Sequence, residues 1–371
     1  MSPWWISVGA TVALAAGVVA LWTIELESAD PSRATPVVDA VTVERFLDEV
    51  TARTGRRSMP RPAQIETGLE LQTIVFPGPH DVIVTGYVWQ LFPPALPRTI
   101  ARGVVFPDTL PADDDVMRQT WRVDTARGEI VGWFFRTTLY QPFDYAKFPI
   151  DERRFVLRMW HADPTQDVLL VPNFAAYHAM FPALRPGLRD HLEMPGWHVD
   201  ASVFAMATTA RRTGFGLPGS AAEGEAPELR FELRLTRDFT HAFVSNLLPL
   251  MLVALLLFGI LMTVTLDKER AAAHGFTTSS AYAASAALLF VALLGHLQIR
   301  GEVTTPQILY IEYFYFIAYL MILAVSVIVF VAATPGPHPR FIADRDVLLP
   351  KLLYWPLSFS LFFAITAWVF Y

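Results

Sequence analysis

No cysteine occurs anywhere in the 371 residues. Disulfides, thiolate zinc sites, iron–sulfur clusters and thiol nucleophiles are excluded together. An oxidising compartment stays open to the chain but is not exploited. Charge is also scarce, 17% of residues against 53% hydrophobic, as expected of a chain that spends much of its length out of water. The formal net charge is −6, so no basic excess is available for a phosphate backbone, which argues against a nucleic-acid partner. There is no phosphate-binding glycine loop, no G-x-S-x-G and no H-E-x-x-H. Asp163, Asp167 and Asp200 are scattered turn acids, and His161, His178, His191 and His198 lack a metal-ligand spacing. Neither an enzyme, nor a cofactor, nor a metal site is expected.

What the chain does have is long apolar runs. Four lie in its last third, at about residues 241–266, 276–299, 308–333 and 352–371. Each reaches the roughly 20 residues that one helical crossing of a bilayer needs. Hydrocarbon offers no water to an unpaired amide, so such runs must be helices. A fifth run spans residues 4–24. With their loops, the four C-terminal runs hold six bases (Lys268, Arg270, Arg300, Arg340, Arg345, Lys351) and six acids (Asp267, Glu269, Glu302, Glu312, Asp344, Asp346). Lys268 and Arg270 separate the first pair of runs, and Arg340, Arg345 and Lys351 the last pair. The positive-inside rule puts both groups in the cytoplasm. The polar middle of the chain and Tyr371 then face outward. The fifth run has no basic residues before it and no clean A-x-A site after it, so a retained anchor is expected over a cleaved signal.

Four regions follow: an anchor or signal segment (1–25), a linker with a short amphipathic helix at about 43–54 (26–60), a β-sandwich (61–237) and a four-helix transmembrane domain (238–371). The sandwich is read from stretches rich in β-branched and aromatic residues at 65–76, 82–92, 129–140, 154–161, 198–209 and 228–236. The last alternates, with Leu229, Phe231, Leu233 and Leu235 on one face and Arg230, Glu232 and Arg234 on the other, which predicts one buried face and one wet face. Proline and glycine clusters separate the strands. No internal repeat is present.

Between two of these strands runs Phe143-Asp144-Tyr145-Ala146-Lys147-Phe148-Pro149-Ile150-Asp151. This stretch resembles the signature loop of the pentameric ligand-gated ion channels, the Cys-loop receptor superfamily: an aromatic, a proline, an apolar residue and an aspartate entering a strand. The flanking cysteines of metazoan members are missing, as in prokaryotic ones. Val84-Thr85-Gly86-Tyr87-Val88-Trp89 resembles the second sandwich strand of that family. Arg237 stands just before the first bundle span, Pro249 falls at its kink position, and Tyr310-Ile311-Glu312-Tyr313 opens the third span in the family's manner. The resemblance covers roughly residues 60–371, and the N-terminal anchor departs from it.

The resemblance implies a homopentamer in a bacterial inner membrane, with the second bundle span lining a pore. Counting back from Thr305-Pro306 places the family's gate leucine at Leu289, on a stripe with Tyr282, Ser285, Ala286, Leu293 and His296. A ring of leucines closes a pore by dewetting. Thr278 stands where cation-selective members carry a glutamate. Gating would be coupled through Asp144, Phe148, Pro149, Asp151, Arg237, Pro249 and Glu312. An arginine partly buried at that level needs a carboxylate, so Arg237 is expected to pair with Asp151 or Asp144. The ligand, a small molecule or ion, would meet aromatic rings, with Tyr87, Trp89, Trp133 and Phe215 as candidates. Lipid is the remaining partner. A non-conducting sensor or assembly subunit of the same architecture is the alternative.

Overall fold

The computed structural model describes residues 3–27, 34–54, 62–180 save 164, 185–211 save 191, 193 and 195, 224–238, 240, 243–269 save 268, and 277–371 save 304 and 344. The chain divides into two units. One comprises Asp30–Phe143 and Glu152–Arg237, and the other Met1–Ala29, Asp144–Asp151 and Asp238–Tyr371.

The first unit is β-rich. After β1 (Thr35–Pro36), helix α2 (Ala40–Thr54) starts at a reciprocal cap. Asp39 Oδ1 accepts from Thr42 N–H at 2.8 Å while Thr42 Oγ1 accepts from Asp39 N–H. Its buried residues Val43, Phe46, Leu47 and Val50 fall at helical spacing.

Nine strands follow: β2 (Ala63–Val75), β3 (Asp81–Phe92), β4 (Val104–Val105), β5 (Thr109–Leu110), β6 (Val116–Thr125), β7 (Gly128–Tyr140), β8 (Glu152–His161), β9 (Val168–Pro172) and β10 (Trp197–Arg211). A tenth, β11 (Gly224–Arg237), completes the unit. They form two sheets, ordered β1-β10-β11-β8-β4 and β5-β7-β3-β2-β9, with β6 on β7. In β3, Val82, Val84 and Val88 are fully buried while Ile83, Thr85, Tyr87 and Trp89 are half-exposed, the alternation of a strand with one covered face. Tyr177 ties the two sheets together. Its hydroxyl donates to Leu69 O at 2.8 Å, and its ring packs on Trp89 of one sheet and Phe204 of the other.

Strand β11 departs from the expected wet face. Leu229, Phe231, Leu233 and Leu235 are fully buried, but Glu228 and Glu232 are buried too. Glu228 survives burial because Arg158, Arg230 and the Trp160 indole all donate to its carboxylate.

The second unit is helical. Among the described residues five helices are long and apolar enough to cross a membrane, so the chain is read as a multi-pass membrane protein. They are α1 (Pro3–Glu27), α3 (Leu248–Thr263), α4 (Thr278–Glu302), α5 (Tyr310–Ala333) and, after the single turn α6 (Arg340–Ala343), α7 (Leu348–Phe370). A π-helical turn, Phe243–Leu247, leads into α3, with Pro249 in the first helical turn. Helix α4 opens on a cap in which Thr277 Oγ1 accepts from Ser280 N–H and Ser280 Oγ accepts from Thr277 N–H.

Helices α3, α4, α5 and α7 share an apolar cluster that includes Leu257, Leu261, Leu288, Ile322, Val325 and Tyr354. At one end Asp346 accepts from Thr265 Oγ1 and Leu266 N–H, and Lys351 Nζ donates to Val264 O. Helix α7 contains Pro356. Proline has no N–H, so the carbonyl of Leu352, four residues earlier, loses its helical donor. Ser7 of α1 supplies one, with Oγ 2.6 Å from Leu352 O. This is how a freed backbone group is satisfied where water is excluded.

Candidate functional site

Two constellations gather the residues that the sequence singles out. The first lies in the helical unit and starts from the segment Asp144–Asp151. Asp144 Oδ1 accepts from Ala146 N–H at 2.9 Å, closing a tight turn, and Phe148 and Ile150 amides bond back to Tyr145 and Lys147 carbonyls. The Phe148–Pro149 peptide is cis. Tyr145, Phe148, Ile150 and Asp151 are buried, while Asp144 is exposed. The turned segment presents two carbonyls to the first turn of α5. Ala146 O accepts from Tyr310 N–H at 2.9 Å, and Phe148 O accepts from Ile311 N–H at 3.2 Å. The first amides of a helix have no partner within it, so the segment fills a need that α5 cannot meet alone.

Glu312 lies in that first turn of α5 and is fully buried. Its Oε2 accepts from Leu309 N–H at 2.8 Å, a carboxylate placed at the positive end of the helix. Its Oε1 meets two cations or potential cations from α4: His296 Nε2 at 2.9 Å and Arg300 Nε at 2.5 Å. Arg300 also donates to the carbonyls of Thr305 and Gln307, closing the α4–α5 connection. His296 Nδ1 lies 3.1 Å from Tyr319 Oη, and its ring stacks on Tyr315. A single carboxylate therefore gathers the end of α4, the α4–α5 connection and the start of α5. Glu312 and His296, expected in separate roles, are brought together by the structure. The signal available in the sequence was a lone acid in the first turn of an apolar span, where an uncompensated charge is costly.

The expected stripe on α4 divides between two faces. Ser285 is 3% exposed and its hydroxyl has no hydrogen-bond partner among the described residues. With Ala281, Leu288, Ala292 and Ile299, it lies on the face packed within the chain. His296 turns toward α5. Leu289 and Leu293 are each 43% exposed, Ala286 is exposed, and Tyr282, also exposed, donates to Ser326 O of α5 at 3.2 Å. Arg237 ends β11 with its guanidinium 4.3 Å over the Trp197 ring. It belongs to the β-rich unit, whereas Asp144 and Asp151 belong to the helical one.

The second constellation is a cleft of about 580 Å³ in the β-rich unit, lined by Glu70, Tyr87, Trp89, Trp121, Arg127 and Asn173 among others. Its floor is a row across four strands. Gly68 of β2 pairs with Trp89 of β3, Trp89 with Gly132 of β7, and Gly132 with Trp121 of β6. A side chain at Gly68 would strike the Trp89 indole, and one at Gly132 the Trp121 indole. The two glycines thus let both indoles lie flat. Tyr87 packs beside Trp121 with ring centroids 5.5 Å apart. Asn173 is 6% exposed, and its Oδ1 has no hydrogen-bond partner among the described residues. Arg127 is held by Glu66.

Tyr87 and Trp89 therefore share one cleft. Trp133 is buried, and its place next to Gly132 in the strand puts it on the opposite face of the sheet. Phe215 lies outside the described residues. Trp121, one of the rings suited to a ligand, lines the cleft as well, and Glu70 and Asn173 join it without having been singled out as ligand candidates. Glycines inside strand-like runs, a mark of close approach by a neighbour, were the available signal. Among the described residues no cluster of three His, Asp or Glu side chains suits a metal ion. No protein-family model matches the chain, and no curated protein matches it.

Proposed function

We propose that the chain is a ligand-gated channel-like membrane protein, in which the β-rich unit senses a small ligand and α4 lines a pore in a homopentamer. The observation that carries this reading is the linkage at the start of α5. The 144–151 segment, which resembles a known coupling loop, bonds to the first amides of α5, and in that same turn Glu312 holds His296 and Arg300 of α4. Movement of the segment would thus be transmitted to α4 through two backbone bonds and one buried carboxylate. In this reading Leu289 forms the closing ring, the β-rich unit and Tyr371 face the periplasm or exterior, and the membrane is the bacterial inner membrane.

The cleft over Trp89 and Trp121 is the proposed ligand site. Flat indole faces favour a cation by their quadrupole, and Glu70 and the Asn173 Oδ1 supply acceptors for its donors. The ligand class is a small organic cation.

A second reading, a non-conducting sensor or assembly subunit, is favoured by α4 itself. Between Thr278 and Ile299 His296 is its sole ionisable side chain apart from the tyrosine, and no charged ring marks the Thr278 end. Recordings from purified protein in planar bilayers, together with its mass in lipid nanodiscs, separate the two. Five subunits and amine-dependent currents support the channel. Five subunits with no current under any small amine or pH support the sensor. A monomer overturns both.

A further inference from the structure

Helix α1 has polar contacts at three levels along its length, and each one meets a specific need of the helical unit. Ser7 donates to the Leu352 carbonyl that Pro356 leaves without a helical donor. Trp22 Nε1 donates to Tyr310 Oη at 2.8 Å. Tyr310 Oη lies 2.6 Å from Thr366 Oγ1, and Thr366 donates to Phe362 O, so α1, α5 and α7 share one directed chain of hydrogen bonds. Glu25 Oε1 lies 2.5 Å from Lys147 Nζ, inside the 144–151 segment, and the Lys147 ammonium sits 5.7 Å over the Phe370 ring. Between these levels Gly17 gives room to the Phe363 ring, which a Cβ there would strike. A leader with no task but targeting has no reason to match its neighbours at each of these levels.

We propose that α1 is a resident member of the helical unit that positions the 144–151 segment on α5, with Trp22 and Glu25 as positioning residues. Tyr310 is the common point. Its amide is held by Ala146 O and its hydroxyl by Trp22, while Lys147, next to Ala146, is held by Glu25. The same first turn of α5 is thereby fixed through the segment and through α1. Release of either hold loosens the other. The seating is independent of conduction. Its consequence, that α1 sets how readily the segment moves and so how readily the pore opens, rests on the channel reading.

The test uses the full chain in lipid nanodiscs and follows hydrogen exchange in peptides covering 144–151 and 308–313. Glu25→Gln and Trp22→Phe each speed exchange of the Tyr310 and Ile311 amides about fivefold, the scale of one partly exposed ion pair or one neutral hydrogen bond, and leave peptides of α3 unchanged. The reversed pair, Glu25→Lys with Lys147→Glu, restores the slow exchange, which a general loss of stability would not permit. Unchanged exchange in both single variants overturns the proposal. So does a purified protein whose intact mass lacks α1 while the Tyr310 and Ile311 amides stay protected. The channel reading is judged separately by currents: responsive exchange without conduction leaves the positioning role standing and removes the pore. Currents with unresponsive exchange do the reverse.

Discussion

His296 Nε2 and Glu312 Oε1 lie 2.9 Å apart on adjacent helices, and Arg300 reaches the same oxygen from one turn further along α4. The carboxylate is shut off from solvent, and these partners and the Leu309 amide occupy its two oxygens.

Glu312→Ala leaves Arg300 and His296 without their acceptor. Removing one partner of a buried pair costs about 3–5 kcal/mol. The lower end is expected here, because the Arg300 side chain keeps 36% exposure and is screened in part. Glu312→Gln keeps the shape but only one of the two accepting oxygens, its NH2 group facing a donor, and should fall between the parent and the alanine variant. Unfolding midpoints of the detergent-purified variants check the order. Equal midpoints for the alanine variant and the parent would show that the carboxylate holds nothing.

Glu228 gives a pH signature to the β-rich unit. Burial pushes its carboxyl up, but hydrogen bonds from Arg158, Trp160 and Thr209 outweigh burial and hold it below the ordinary glutamate value of 4.5. A depressed folded value means stability that is fully present above the unfolded pKa and is lost as pH falls through the folded one. Acid unfolding of the sheet signal should therefore steepen below about pH 4. Glu228→Gln should be less stable at pH 7 and shallower in acid. A glutamine variant with the parent's acid profile would remove Glu228 from the account.

The indole row predicts where a ligand is lost. Trp89→Ala removes one ring face and should weaken binding of a small primary amine by about 1–2 kcal/mol, read by fluorescence titration. Gly68→Val should do at least as much without deleting a ring, because its side chain displaces the Trp89 indole. Titrations unchanged in both variants would place the ligand elsewhere.

Leu289 offers the sharpest test of the proposed pore. It is exposed on a single chain and lies beside the face that packs within the chain. In a closed ring of leucines, Leu289→Ser wets the constriction and gives spontaneous current. A conducting protein whose currents ignore this change would have its gate on another residue.

The gross architecture was legible because its signals are long. Five apolar runs became five helices with ends within a few residues of expectation, and the strand over 82–92 became Asp81–Phe92. Strand β6 escaped notice: it is exposed along nearly its whole length, so no alternation marks it. The buried carboxylate of Glu228 escaped because two of its partners, Arg158 and Trp160, lie on β8, some 70 residues away. On α4 the spacing put Ser285 and Leu289 on one stripe, yet one residue packs within the chain and the other does not. They lie close to the border between two faces, and periodicity in one helix says nothing of which neighbour is present.

Pro356 and Ser7 carry a consequence for biosynthesis. The acceptor of Ser7 is 345 residues away, so α1 enters the bilayer long before the helix that needs its hydroxyl. Until α7 arrives, the early helices stand without the neighbour that α1 fits, and completion of the helical unit is a late event with a long closure. Residence of nascent chains with general membrane chaperones should therefore persist until α7 has been inserted. Substitution of Pro356 by alanine, which restores the Leu352 carbonyl to its own helix, would make that last docking step less dependent on Ser7.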